Sequence, residues 1–118
     1  MRYLALIYGN ETAEAVPGVS DWDTIMKEYG AFGAEAGAAG VLVSGDALQP
    51  TATATTVRVE DGRTLTTDGP FAETKEQLGG YYLLEVADLD EAIAWAAKIP
   101  GAWHGRVEVR PIIAFDQD

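Results

Sequence analysis

The stretch GYYLLEVADLDEAIAWAAKI, residues 80–99, decides the fold. Its first part, GYYLLEV, is apolar at nearly every position, so it reads as a strand covered on both faces rather than one alternating between core and water. The second part changes period. Asp88 and Glu91 frame a capping box at a helix start, and Leu89, Ile93, Ala96, Ala97 and Ile99 recur at helical spacing as the predicted buried stripe. Pro100-Gly101 stops the helix.

Working outward, RYLALIY at 2–8 has the same doubly apolar character and reads as a second covered strand. From Ser20, a natural N-cap with Asp21 and Asp23 near the positive end of the dipole, Trp22, Ile25, Met26, Tyr29, Phe32, Ala36 and Ala39 mark one helix face. Gly40 ends that helix. Gly30, Gly33 and Gly37 each cost up to ~1 kcal/mol relative to alanine, which predicts a close approach of helix to sheet. VLVSGD at 41–46 is a strand, TVRVEDGRTLTT at 56–67 a hairpin turning at Asp61-Gly62, and RVEVRP at 106–111 a last, alternating strand. Without the inserted hairpin the order is βαββαβ, a ferredoxin-like α+β sandwich in a single domain spanning 1–118.

In that topology the first and third core strands are central, and those are the two doubly apolar ones; Pro111 is tolerated at an edge. Both helices cover one face only. If Tyr82, Leu84 and Val86 face the helices, then Tyr81, Leu83 and Glu85 lie on the open face, and with Val107 and Val109 inward, so do Arg106, Glu108 and Arg110. Four short strands present roughly 350 Å² there in projection, enough apolar surface to imply a partner. A homodimer with sheets packed face to face is the expected solution, Glu108 and Arg110 forming either a salt-bridged seam or part of a polar cleft.

Composition narrows the function. The net charge of −11 with no basic run argues against direct nucleic-acid binding. The absence of cysteine removes thiolate nucleophiles, disulfides and cysteine metal sites, and fits a cytoplasmic protein. The first residues read as a strand rather than a signal peptide, and no run approaches the ~18 apolar residues of a membrane span. His104 is the only histidine, so no multi-histidine metal site exists and no cofactor is expected. Neither a phosphate-loop pattern nor a Gly-x-Ser-x-Gly elbow is present.

The remaining chemistry lies in TDGPFAETKEQLGG, residues 67–80. Two readings stand side by side. In one, Asp68 caps a turn, Pro70 and Phe71 start a single helical turn running to Gln77, Phe71 plugs the core edge, and Glu73, Lys75 and Glu76 are solvated. In the other, Asp68, Glu73, Lys75 and Glu76 cluster just before a central strand, with Asp68 a general acid or base, Phe71 a dry wall that shifts its pKa, and Glu73 and Lys75 contacting a substrate. Tyr81, Glu85 and Arg110 then line a cleft near the dimer centre.

DGPFAETKE at 68–76, GGYYLLEV at 79–86, the DLDEAIAWAAKIP helix and the terminal VEVRPI resemble the DGPF-motif branch of the YCII-related family. The resemblance runs from the Tyr3 strand to Ile113. It implies a dimeric α+β barrel of ferredoxin-like protomers. It also implies either small-molecule catalysis on a lactone or organic acid, with Asp68 as the motif aspartate, or a non-catalytic dimeric module associated with an extracytoplasmic-function sigma factor. Other members of the wider family look built around a histidine on the first helix, and residues 20–39 contain none.

Overall fold

The computed structural model describes residues 1–10 and 22–115. In chain order the elements are β1 (Arg2–Gly9), α1 (Trp22–Ala38), β2 (Leu42–Ala47), a short 3₁₀ turn (Thr51–Thr53), β3 (Thr55–Glu60), β4 (Arg63–Asp68), β5 (Gln77–Glu85), α2 (Leu89–Ala96), α3 (Gly101–His104) and β6 (Arg106–Pro111). The main sheet has the order β2-β5-β1-β6, every neighbouring pair antiparallel, while β3 and β4 form a separate two-stranded sheet. This is the expected ferredoxin-like α+β architecture, with both doubly apolar strands central and both alternating strands at the edges.

The core lies between the sheet and the helices. Tyr3 and Ala5 of β1, Leu84 of β5, Val86, Phe32 and Ala36 of α1, and Ala92, Ala96 and Ile99 are buried together, with Tyr82, Trp95, Val107 and Val109 packed against them. Phe32 organises the contact between layers: its ring centroid is 4.9 Å from that of Tyr82 and 6.4 Å from that of Trp95, tilted in the first case and edge-on in the second. Lys98 pairs with Glu35 of α1 and lies 5.1 Å from the centre of the Trp95 ring. Both charged side chains are about half exposed, so the pair adds well under ~1 kcal/mol.

The helix phases differ from the sequence pattern in part. On α2 the buried positions are Ala92 and Ala96, while Leu89 and Ile93 are 48% and 52% exposed and Ala97 is exposed. Alanines at the contact let the helix axis sit close to the sheet, where a leucine stripe would hold it away. The cap is as expected: Asp88 accepts from the Glu91 N–H at 2.9 Å, and Glu91 reaches back to the Ala87 N–H at 3.3 Å. On α1, Tyr29, Phe32 and Ala36 face the core, but Met26 and Ala39 are exposed. Gly30, Gly33 and Gly37 do not bring the helix against the sheet, since a Cβ at any of them would meet nothing within 4 Å. The close approach of helix to sheet lies instead at Gly101 of α3, where a Cβ would run into the Ile7 side chain of β1; within the sheet, a Cβ on Gly45 of β2 would run into the Tyr82 ring. Ser20 and Asp21 lie outside the described residues.

Two further differences concern the segments nearest the motif. No helical turn forms at 70–77; the chain bends there and β5 starts at Gln77. After α2 the chain makes the extra helix α3, which the sequence pattern does not mark, and His104 ends it and is exposed. The hairpin turn is as expected, with φ of 51° at Asp61 and 74° at Gly62. No helix among the described residues is long and apolar enough to cross a membrane.

Candidate functional site

The strand register fixes what the open face of the main sheet displays. Residues paired across strands share a face, so the rows can be read directly. One row runs Asp46, Tyr81, Leu6, Glu108; the next runs Ser44, Leu83, Leu4, Arg110. Glu85 and Arg2 stand opposite each other beyond these and form a 3.4 Å ion pair. At the other end Tyr8 lies between Leu78 and Arg106, after a bulge at Gly79 shifts the β1–β5 register. Leu4, Leu6, Leu83 and Tyr81 are half-buried by one another. The face is therefore an aliphatic and aromatic centre edged by charges of both signs.

Within it the Tyr81 hydroxyl donates to the Asp46 carboxylate at 2.8 Å. That hydrogen bond first, and the carboxylate charge second, push the Tyr81 phenol above its ordinary range. Burial alone pushes up Tyr82, on the opposite face. Tyr81 thus stays neutral at physiological pH, and its oxygen keeps lone pairs free to accept from a ligand. Arg110 and Glu108 have no ion-pair partner among the described residues.

A depression of about 360 Å³ marks the Tyr8 end of the face, lined by Tyr8, Thr74, Glu76, Arg106, Val107 and Glu108. Its wall is the returning end of the motif loop. The Thr74 hydroxyl donates to the Glu76 carbonyl at 2.5 Å, the Gln77 side chain donates to the Thr74 carbonyl at 2.6 Å, and Glu76 pairs with Arg106. Local bonds therefore hold the loop, and one cross-sheet ion pair ties it to β6.

The other half of the motif is elsewhere. Asp68 ends β4 opposite Thr55 and is exposed. Gly69, at φ 95°, donates to the Ala54 carbonyl at 2.7 Å and accepts from the Thr56 hydroxyl at 2.7 Å, closing the hairpin base. Phe71 is 90% exposed, so it plugs no core edge and gives no dry wall within a single chain. Glu73 and Lys75 are exposed. The structure thus brings Tyr81, Glu85 and Arg110 onto one face; among the described residues no hydrogen bond or ion pair joins Asp68, Glu73 or Lys75 to it. Asp46, Tyr8, Thr74 and the Glu76–Arg106 pair were not marked as site residues by the sequence pattern, because only the register and the path of the loop place them there. Arg106 had a signal in sharing the parity of Glu108 and Arg110, and Glu76 in standing with Asp68, Glu73 and Lys75 in the motif. Among the described residues no three metal-binding side chains gather.

The family model of the YCII-related domain matches residues 1–116. An uncharacterized protein of Rhizobium meliloti (strain 1021) is 38% identical over 117 residues, covering 98% of this chain and 94% of that protein.

Proposed function

The chain belongs to the YCII-related family, and from that membership and the open sheet face we propose that it works as a homodimeric enzyme on a small organic acid or lactone. The observation that carries the reading is the row of Arg110, Leu4 and Leu83 beside that of Tyr81 and Asp46. Leucines supply an apolar floor for a carbon skeleton, Arg110 receives a carboxylate, and Tyr81, held by Asp46, accepts from a ligand hydroxyl. Packing two such faces would cover the leucines. A fully dry seam would leave Arg110 and Glu108 to be paired at a desolvation cost of several kcal/mol per ion, so the charged rows favour a cleft between the sheets that holds solvent or ligand. Glu85 completes the contacts on the face; Asp68 as general acid or base, with Phe71, Glu73 and Lys75 as further contacts, lies away from that face within one chain and takes part through the motif loop of a second copy. The cysteine-free sequence supports a cytoplasmic setting.

A second reading is favoured by one observation. Phe71, a large aromatic side chain 90% exposed on the motif loop, suits a protein partner. In that reading the dimer is a non-catalytic module that docks a sigma factor of the extracytoplasmic-function class.

The experiment is an NMR titration of the protein with a panel of small carboxylic acids and lactones. At least one compound is expected to shift the amides of Tyr81, Leu83 and Arg110 and to lose affinity in Arg110→Gln; turnover of that compound should disappear in Asp68→Asn with fold and dimer intact. Binding without turnover in the wild type, together with recovery of a sigma factor lost in Phe71→Ala, would favour the module. No shift on this face with any compound would remove the ligand site.

A further inference from the structure

The β3–β4 hairpin pairs with no strand of the main sheet. Every residue of its two strands is exposed except the half-buried Thr56. Two-stranded hairpins without a covered face are marginal in water. The register shows which face needs covering. Thr55, Val57 and Val59 of β3 stand opposite Asp68, Thr66 and Thr64 of β4 on one side; Thr56, Arg58 and Glu60 stand opposite Thr67, Leu65 and Arg63 on the other. All the charge of the strand interiors is on the second side, where Arg58 and Glu60 form a 3.8 Å ion pair. The first side is neutral as far as the base, where Asp68 sits. Val57 and Val59 there are 61% and 66% exposed.

Area indicates the occupant. A stable interface buries roughly 800 Å² per partner, and the open sheet face offers roughly 350 Å² in projection, well short of that. Two six-residue strands add roughly 190 Å² per face, bringing the projected total to roughly 540 Å², nearer to the size of a stable interface. The hairpin is inserted between β2, an edge strand of the sheet whose open face is to be covered, and β5, its neighbour, so it leaves the sheet at the β2 edge. A second copy that covers the sheet face is therefore the partner within reach of the hairpin.

We propose that β3–β4 is an intersubunit arm: its neutral face, Val57, Val59, Thr64 and Thr66, lies against a second copy of this chain, and Asp68 at its base thereby enters the seam between subunits. This deepens the homodimer reading above and rests on it. It also accounts for the exposure of Asp68 in a single chain: the acid or base is completed only by the partner, which removes water from one side of its carboxylate.

The chain has no cysteine, so a single introduced thiol is a unique probe. Val59→Cys, and separately Val57→Cys, carry a benzophenone label on the neutral face; Arg58→Cys carries it on the charged face. Each is mixed with isotope-labelled wild-type chain at a concentration where sedimentation shows dimers, then irradiated, and adducts are assigned by mass. Adducts to the isotope-labelled chain are expected severalfold more often from Val59→Cys and Val57→Cys than from Arg58→Cys. Dimers in sedimentation with equal yields from both faces, or with adducts only within one chain, would overturn the arm and leave the sheet-face dimer standing. Monomers in sedimentation would overturn both.

Discussion

The Tyr81 hydroxyl donates a 2.8 Å hydrogen bond to the Asp46 carboxylate across β5 and β2, on the face of the sheet that no helix among the described residues covers. Two polar groups on an otherwise leucine-rich surface are thereby fixed, and Tyr81 is held in its neutral form. Because the folded-state value is raised above the ordinary one of about 10, the contribution of this pair to stability is fully present below pH ~10 and is lost as pH rises through the raised value. Near-ultraviolet titration of the phenolates should show a tyrosine ionising late in the wild type. In Asp46→Asn that transition should move down toward the ordinary range; an unmoved transition would mean the bond does not control Tyr81.

Glycines in two settings should respond oppositely to alanine. Gly45→Ala drives a Cβ into the Tyr82 ring and sets it 2.8 Å from the Tyr81 carbonyl oxygen, so it should destabilise by about 1–3 kcal/mol. Gly37→Ala meets nothing within 4 Å in the last turn of α1 and should stabilise by no more than roughly 0.5–1 kcal/mol, the value for a helix interior. Urea denaturation of both variants checks the pair. A destabilised Gly37→Ala would reveal a surface packed against that helix face.

The start of α2 rests on Asp88. Asp88→Ala removes the acceptor for the Glu91 N–H and should cost about 1 kcal/mol in chemical denaturation, with Asp88→Ser or Asp88→Asn recovering most of it. Equal losses in all three variants would show that the side chain does not act as a cap.

Leu83 and Leu84 are neighbours on opposite faces, which separates folding from assembly. Leu84 is fully buried, and Leu84→Ala should cost about 2–5 kcal/mol. Leu83→Asp should leave the thermal unfolding of the isolated chain little changed while weakening self-association strongly. If the two substitutions acted alike, the open face would be part of the fold and not of an interface.

The fold was legible because GYYLLEV and RYLALIY are apolar on both faces, a pattern that only central strands need, and the alternation in RVEVRP marked an edge. The phase of α2 was less legible. Leu89 and Ile93 outrank Ala92 and Ala96 in hydrophobicity, yet the sheet selects the alanines because close packing of helix on sheet needs small side chains at the contact. For the site, alternation alone put Tyr81, Glu85 and Arg110 on one face. Asp46 was beyond reach, since the β2–β5 pairing that sets it beside Tyr81 is a long-range register. The motif was legible as spelling and not as geometry: Asp68 ends a hairpin whose apolar residues find no cover among the described residues, Phe71 lies on the loop just after it, and local periodicity carries no sign of either.

Sedimentation equilibrium of the full chain at micromolar concentration tests the homodimer most directly. A species of twice 12.6 kDa is expected, dissociating to single chains in Leu83→Asp. A wild-type protein that sediments at 12.6 kDa across that range would contradict the covered sheet face, the cleft and the arm together.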